Sequence, residues 1–245
     1  MKLFKNSMVV VGAVAVIGAA AGTAQADLMV NRGFETMVPT TGILPTDYGY
    51  WRGDMTTIVA AENDINPFEG VCMLRFDNTT RRGASAAVGS ELWQIIDVSS
   101  YESMIRSGNG RIEASAFFNR VANPLGTAVD TMFSIGVYSY AGSVDTFPSQ
   151  WGHSELGSSQ STIYSDDNTE SWEQAMLSFV LPEATDFVAL RVSATEDMFN
   201  DLTGSEFAGH YVDGVGFTII PTPASLLCLL PAAGLMGIGR RRRIA

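Results

Sequence analysis

Phe133-Ser134-Ile135-Gly136-Val137 and Val188-Ala189-Leu190-Arg191-Val192 decide the fold. In both, a large apolar residue returns at every second position, the period of a strand with one buried face. Outward from them, short apolar or alternating runs recur between clusters of Gly, Asn, Asp, Ser and Pro. These runs are Leu28–Phe34, Thr56–Ala61, Val71–Phe76, Leu92–Val98, Arg111–Arg120, Met132–Ser139, Trp172–Leu181, Phe187–Ala194 and Tyr211–Ile219. No helical period lasts more than two turns between Asp27 and Ile219. Ser107-Gly108-Asn109-Gly110 supplies a turn before Arg111, because Asn-Gly accepts positive φ. About nine strands predict one all-β sandwich domain over 27–219, with the polar stretch Ala141 to Glu170 as a surface excursion.

The composition narrows the function classes. With 46% hydrophobic and 17% charged residues among 245, the chain can bury a core, so wholesale disorder is excluded. Six of the 15 basic residues sit in the two ends, while all 26 acidic residues lie between Asp27 and Asp213. The body therefore carries nine against 26, a net charge of −17, which excludes a binder of nucleic-acid phosphates. That charge favours solubility in salt and attracts divalent cations. Cys228 lies in the tail, so Cys72 has no disulfide partner in the body and reads as a small buried hydrophobe.

Both ends read as addresses. Lys2 and Lys5, the apolar run Met8 to Ala21, and the small-x-small site Ala24-Gln25-Ala26 predict a signal peptide over 1–26. At the other end, 220–245 holds Pro221-Thr222-Pro223, the uncharged stretch Ala224 to Gly239 and Arg240-Arg241-Arg242-Arg243. As a helix, Ala224 to Gly239 is apolar enough to enter a membrane, and the arginines hold its end on the cytoplasmic side. Pro231 removes a backbone hydrogen bond from it, which suits a transient span. The three-part order resembles the PEP-CTERM sorting signal, with Thr222 where the family has Glu. The resemblance implies an exosortase-type processing enzyme as partner. It also implies transient anchoring by the C-terminus, then release to the cell surface or extracellular matrix.

The body has its own resemblance. Asn31-Arg32-Gly33-Phe34-Glu35 opens it, Leu92-Trp93-Gln94 begins a middle strand, Ser171-Trp172-Glu173-Gln174 leads into Phe179, and Tyr211-Val212-Asp213-Gly214-Val215 closes it. This pattern resembles the galactose-binding-domain-like jelly roll of carbohydrate-binding modules. The resemblance implies a jelly-roll sandwich and, at Glu35 and Asp213, a structural calcium site joining first and last strands. The competing reading of that pair is two carboxylates that accept backbone amides. Tyr48, Tyr50, Trp51 and Trp151 stand in loop-like contexts and are the candidate sugar platforms. Trp172, beside a strand, reads as core.

Catalysis has little support in the sequence. His153 reads as a loop residue and His210 as a strand start, and neither belongs to a nucleophile or metal motif. Acid pairs such as Asp166-Asp167 follow from having 26 acids and do not define a glycosidase cleft. Arg52-Gly53-Asp54 matches an adhesion tripeptide. The expected protein is thus exported and non-catalytic, with polysaccharide as the ligand class and calcium as a structural ion. A secreted polysaccharide hydrolase or lyase, and a purely structural acidic matrix protein, are the alternatives.

Overall fold

The computed structural model describes residues 28–36, 39–42, 44–77, 88–121, 131–166, 168–196 and 209–222. The signal peptide, Ala24 and Ala26, Pro223, the apolar tail and Arg240 to Arg243 lie outside the described residues. No helix among the described residues is long and apolar enough to cross a membrane.

The described strands are β1 (Thr40–Thr41), β2 (Trp51–Gly53), β3 (Thr56–Val59), β4 (Met73–Phe76), β5 (Val88–Asp97), β6 (Gly110–Arg120), β7 (Met132–Tyr140), β8 (Gly157–Tyr164), β9 (Glu173–Val180), β10 (Phe187–Glu196) and β11 (His210–Pro221). They form a six-stranded sheet, β1-β2-β5-β10-β7-β8, and a five-stranded sheet, β3-β4-β11-β6-β9. Every pairing is antiparallel except β1 with β2. From β4 onward the pairing is nested: β4 with β11, β5 with β10, β6 with β9, and β7 with β8. That nesting is the strand order of a jelly roll. The short helices α1 (Glu102–Arg106) and α2 (Phe147–Gln150) lie in connections.

The period of two places the core between the sheets. Leu92 and Ile96, Ile135 and Val137, and Leu190 and Val192 share one buried cluster with Ile112, Phe118, Val212 and Phe217 of the other sheet. The intervening residues Trp93, Ile95, Tyr138, Tyr140, Phe187 and Ala189 form a second cluster. Alternation assigns that cluster to the outer face of the six-stranded sheet.

Two expectations need correction. Leu28–Phe34 is not a strand: Asn31 and Phe34 have φ of 52° and 56°, so the segment turns where a strand would run on. Inner-face side chains hold this strap instead. The Gln94 amide exchanges hydrogen bonds with Val30 N and O, and Trp51 Nε1 donates to Val30 O at 3.1 Å. The expected excursion Ala141 to Glu170 contains a strand, β8, whose Gly-Ser-Ser-Gln-Ser-Thr-Ile-Tyr carries little apolar signal. As the last strand of its sheet, it is fixed by main-chain pairing with β7 rather than by burial.

Candidate functional site

Register builds the site. Arg52, Trp93, Arg191, Gly136 and Gln160 fall in one row across β2, β5, β10, β7 and β8. The Arg191 guanidinium lies 5.5 Å from the ring centroids of both Trp93 and Tyr138. Its Nη1 donates to Glu91 Oε1 at 2.8 Å and its Nη2 to Gln160 Oε1 at 2.7 Å. Glu91 Oε2 accepts from Trp93 Nε1 at 3.3 Å, so one carboxylate orients both cation and indole. Gly136 makes room for Tyr138: a Cβ there would lie 2.9 Å from the tyrosine ring.

One end of this face is roofed by the excursion after β7. Val144, Phe147 and Trp151 pack on the second cluster, with Trp151 edge-on to Trp93 at 4.5 Å and to Tyr138 at 5.1 Å. Asp186 ties down the start of this roof by accepting from Gly142 N at 2.6 Å and from Arg106. Those donors, the Gly142 amide first, hold its carboxyl below the usual range. Burial raises the Tyr138 hydroxyl, with Arg191 opposing, and raises Tyr140 as well, beside Glu155. Next to the row, a cavity of about 360 Å³ is lined by Leu44, Gly53, Asp54, Glu91, Trp93 and Pro148. Trp93 is itself 1% exposed beneath its neighbours, so the open apolar surface here is the half-buried Trp151. With two carboxylates and a fixed guanidinium, it suits a ligand that offers both an apolar face and hydroxyls.

The predicted platforms separate. Trp151 belongs to this site. Tyr48 and Tyr50 are exposed just before β2, where Tyr48 forms a bridge with Ile95. Burial first, then Asp97 and Asp186, raise the Tyr48 hydroxyl. Trp51 is a correction: it is 1% exposed, packs 5.3 Å from Phe34 in the main core, and has no free ring face. It occupies an inward position of β2, opposite Gln94. The adhesion tripeptide is also not presented. Gly53 is buried in β2, where a Cβ would meet Glu91 O at 2.1 Å, and Asp54 Oδ2 accepts from Glu91 N.

Glu35 and Asp213 converge on one loop. Glu35 Oε1 accepts from Val71 N at 2.9 Å and Cys72 N at 3.1 Å. Asp213 Oδ2 accepts from Phe68 N and Glu69 N, and its Oδ1 from Gly214 N at 2.7 Å. The backbone-amide reading of this pair therefore describes its contacts. Among the described residues no group of three or more His, Cys, Asp or Glu is arranged to hold a metal ion. Burial still pushes the Asp213 carboxyl up to about 6 against those amides, with Glu69 adding to the rise.

The remaining residues fall out simply. His153 is exposed, while His210 opens β11 fully buried, its Nε2 3.1 Å from Thr131 Oγ1. Cys72 is half-buried just before β4, a correction to the buried hydrophobe expected there. Trp172 is half-buried too; its Nε1 donates to Asn66 O and its ring meets Phe68 edge-on. Pro221 ends β11, and Thr222 N donates to Asn109 O, so the proline motif begins on the last strand. Sequence reasoning missed Glu91, Tyr138, Gln160 and Arg191 as site residues, and treated Trp93 only as a strand marker. The available signal was Arg191, a cation at an outward position of an otherwise apolar run.

No family model matches the chain, and no curated protein matches it. Among solved structures, it is similar to a family 61 carbohydrate-binding module in complex with β-1,4-galactotriose, at 14% identity and TM-score 0.46, covering 78% of this chain and 97% of that one. It is also similar to the family 22 xylan-binding domain from Paenibacillus barcinonensis, at 13% and 0.40, over 72% and 88%. An arabinose-bound α-L-arabinofuranosidase matches at 13% and 0.45 over 80% of this chain, which spans only 26% of that enzyme. The jelly-roll assignment rests on the nested strand order.

Proposed function

We propose that this is an exported, non-catalytic protein that binds polysaccharide on the outer face of its six-stranded sheet. The carrying observation is Arg191, gripped by Glu91 and Gln160 beside Trp93 and Tyr138. Such a guanidinium is preorganised, so little side-chain freedom is lost when it donates to a sugar hydroxyl. Trp151, seated on the buried Trp93, supplies the apolar contact, and Asp54 and Glu91 supply acceptors. Export would use residues 1–26. The 220–245 tail would hold the body at the membrane until an exosortase-type enzyme releases it to the surface or matrix.

Retardation on polysaccharide affinity gels tests this reading. The protein should be slowed without releasing reducing sugar, and Trp151→Ala and Arg191→Ala should weaken the retardation. Sugar release would favour the hydrolase or lyase alternative; neither retardation nor release would favour the acidic matrix protein. We also propose calcium as a structural ion at Glu35 and Asp213, whose carboxylates and the neighbouring loop carbonyls are hard oxygen donors. Its role would be to tighten the loop already held by their amide contacts.

A further inference from the structure

Among the described residues the edge formed by β9 carries none of the sequence devices that keep strand edges apart, while β8 of the other sheet runs alongside it. Among the described strands its sole partner is β6, in unbroken register from Arg111 opposite Val180 to Phe118 opposite Glu173. Edges are ordinarily blunted by Lys, Pro or a bulge. The eight residues Glu-Gln-Ala-Met-Leu-Ser-Phe-Val contain no Lys and no Pro, and their one charge, Glu173, is at the end. Met176 and Val180 are 63% and 52% exposed. Beside Met176 runs a groove of about 580 Å³, lined also by Ser115, Ser178, Gly216, Thr218 and Glu113, whose carboxylate is paired with Arg111. The other sheet's edge on this side, β8, is uncharged but mostly hydroxylated, so the apolar edge is β9.

We propose that β9 pairs antiparallel with β9 of a second copy across a two-fold axis, joining the five-stranded sheets. Unpaired main-chain groups call for a strand, and exposed Met176 and Val180 on a neutral run distinguish β9 from the equally neutral but hydroxylated β8. Bodies of net charge −17 repel over most of their surface, whereas here seven consecutive residues, Gln174 to Val180, are neutral. Pairing centred on Leu177 sets Met176 against Ser178 and Gln174 against Val180 of the second copy. The two Glu173 carboxylates then stand at opposite ends of the pair, and the arrangement is isologous, as a closed dimer requires. The six-stranded face with Arg191 stays open on both copies. If that face binds glycan as proposed above, the dimer is bivalent and can bridge two chains.

The test is sedimentation of the full-length protein in a non-ionic detergent, from about 1 to 100 μM, a span suited to a small interface. Wild type should pass from one to two protomers as concentration rises. Met176→Lys should remain at one. Met55→Lys, which alters another exposed methionine away from β9, should dimerise like wild type. Circular dichroism and melting check that both variants fold. A single protomer at every wild-type concentration, or a Met176→Lys variant that dimerises as Met55→Lys does, overturns the proposal. Neither readout involves sugar, so failure here is distinct from failure of the glycan-binding reading.

Discussion

Asp213→Asn should change how the protein's stability responds to acid, and the size of the change follows from two buried groups. Burial pushes the Asp213 carboxyl up to about 6 in the folded protein, against 3.8 as its ordinary value. The native state therefore holds this proton more tightly than the unfolded chain does. Stability rises as pH falls through 6 toward 3.8, by ~1.4 kcal/mol per pH unit and roughly 2 kcal/mol between pH 7 and 4. His210 acts in the opposite sense. Burial first, then the Arg120 charge, push it down to about 3 from 6.5. Its contribution is complete above 6.5 and is lost as pH falls toward 3, about 3 kcal/mol by pH 4. In the wild type the two slopes oppose each other between pH 6 and 4. Asp213→Asn has a fixed cost, since its amide NH2 meets the Gly214 N–H, but it also removes one slope. Urea unfolding followed by tryptophan fluorescence at pH 7, 6, 5 and 4 reads both effects. The gap between wild type and variant should widen by roughly 2 kcal/mol on acidification. A gap that stays constant with pH would refute the argument.

Other perturbations separate site from scaffold. Arg191→Ala should weaken glycan retardation at least tenfold, about 1.4 kcal/mol, with Arg191→Lys no better because lysine lacks the planar fork. Trp51→Ala should cost about 3–5 kcal/mol of stability, while Trp51→Phe should leave retardation unchanged; a binding defect in the stable Trp51→Phe variant would return this residue to the site. Gly70 has φ +67°, and a Cβ there would stand 2.0 Å from Glu35 Oε1. Glu35 can swing aside, so Gly70→Ala should cost roughly 1–3 kcal/mol in urea unfolding, and wild-type stability in that variant would mean Glu35 is not held as described. For calcium, chelation should lower the melting temperature of the wild type but not of Glu35→Gln. If both respond alike, the ion is not at this pair.

The long central strands were legible because burial on one face writes itself into alternation. Val188, Leu190 and Val192 had to point one way, and they do. β8 was not legible: at a sheet edge, main-chain pairing suffices, and serines alternating with serines carry no period. The Leu28–Phe34 strap misled because Met29 and Phe34 are buried by a turning segment whose main chain is held by Trp51 and Gln94, not by strand pairing. In the candidate site only Trp151 was anticipated as a platform. Trp93, Tyr138, Gln160 and Arg191 come from four strands, and nothing local to any one of them announces the register that joins them. Trp51 and Trp151 look alike as letters. Which side of a sheet each occupies depends on pairing, which a single sequence does not display.

The position of β11 has a consequence for the order of assembly. It is the last of the described strands, yet it lies in the middle of its sheet, between β4 and β6. Until it arrives, the β3–β4 hairpin and the β6–β9 pair have no shared neighbour, and the half-built sandwich cannot shut. A polypeptide threaded head first through a narrow conduit would thus remain pliable until residue 221 had emerged, then lock in a single late step.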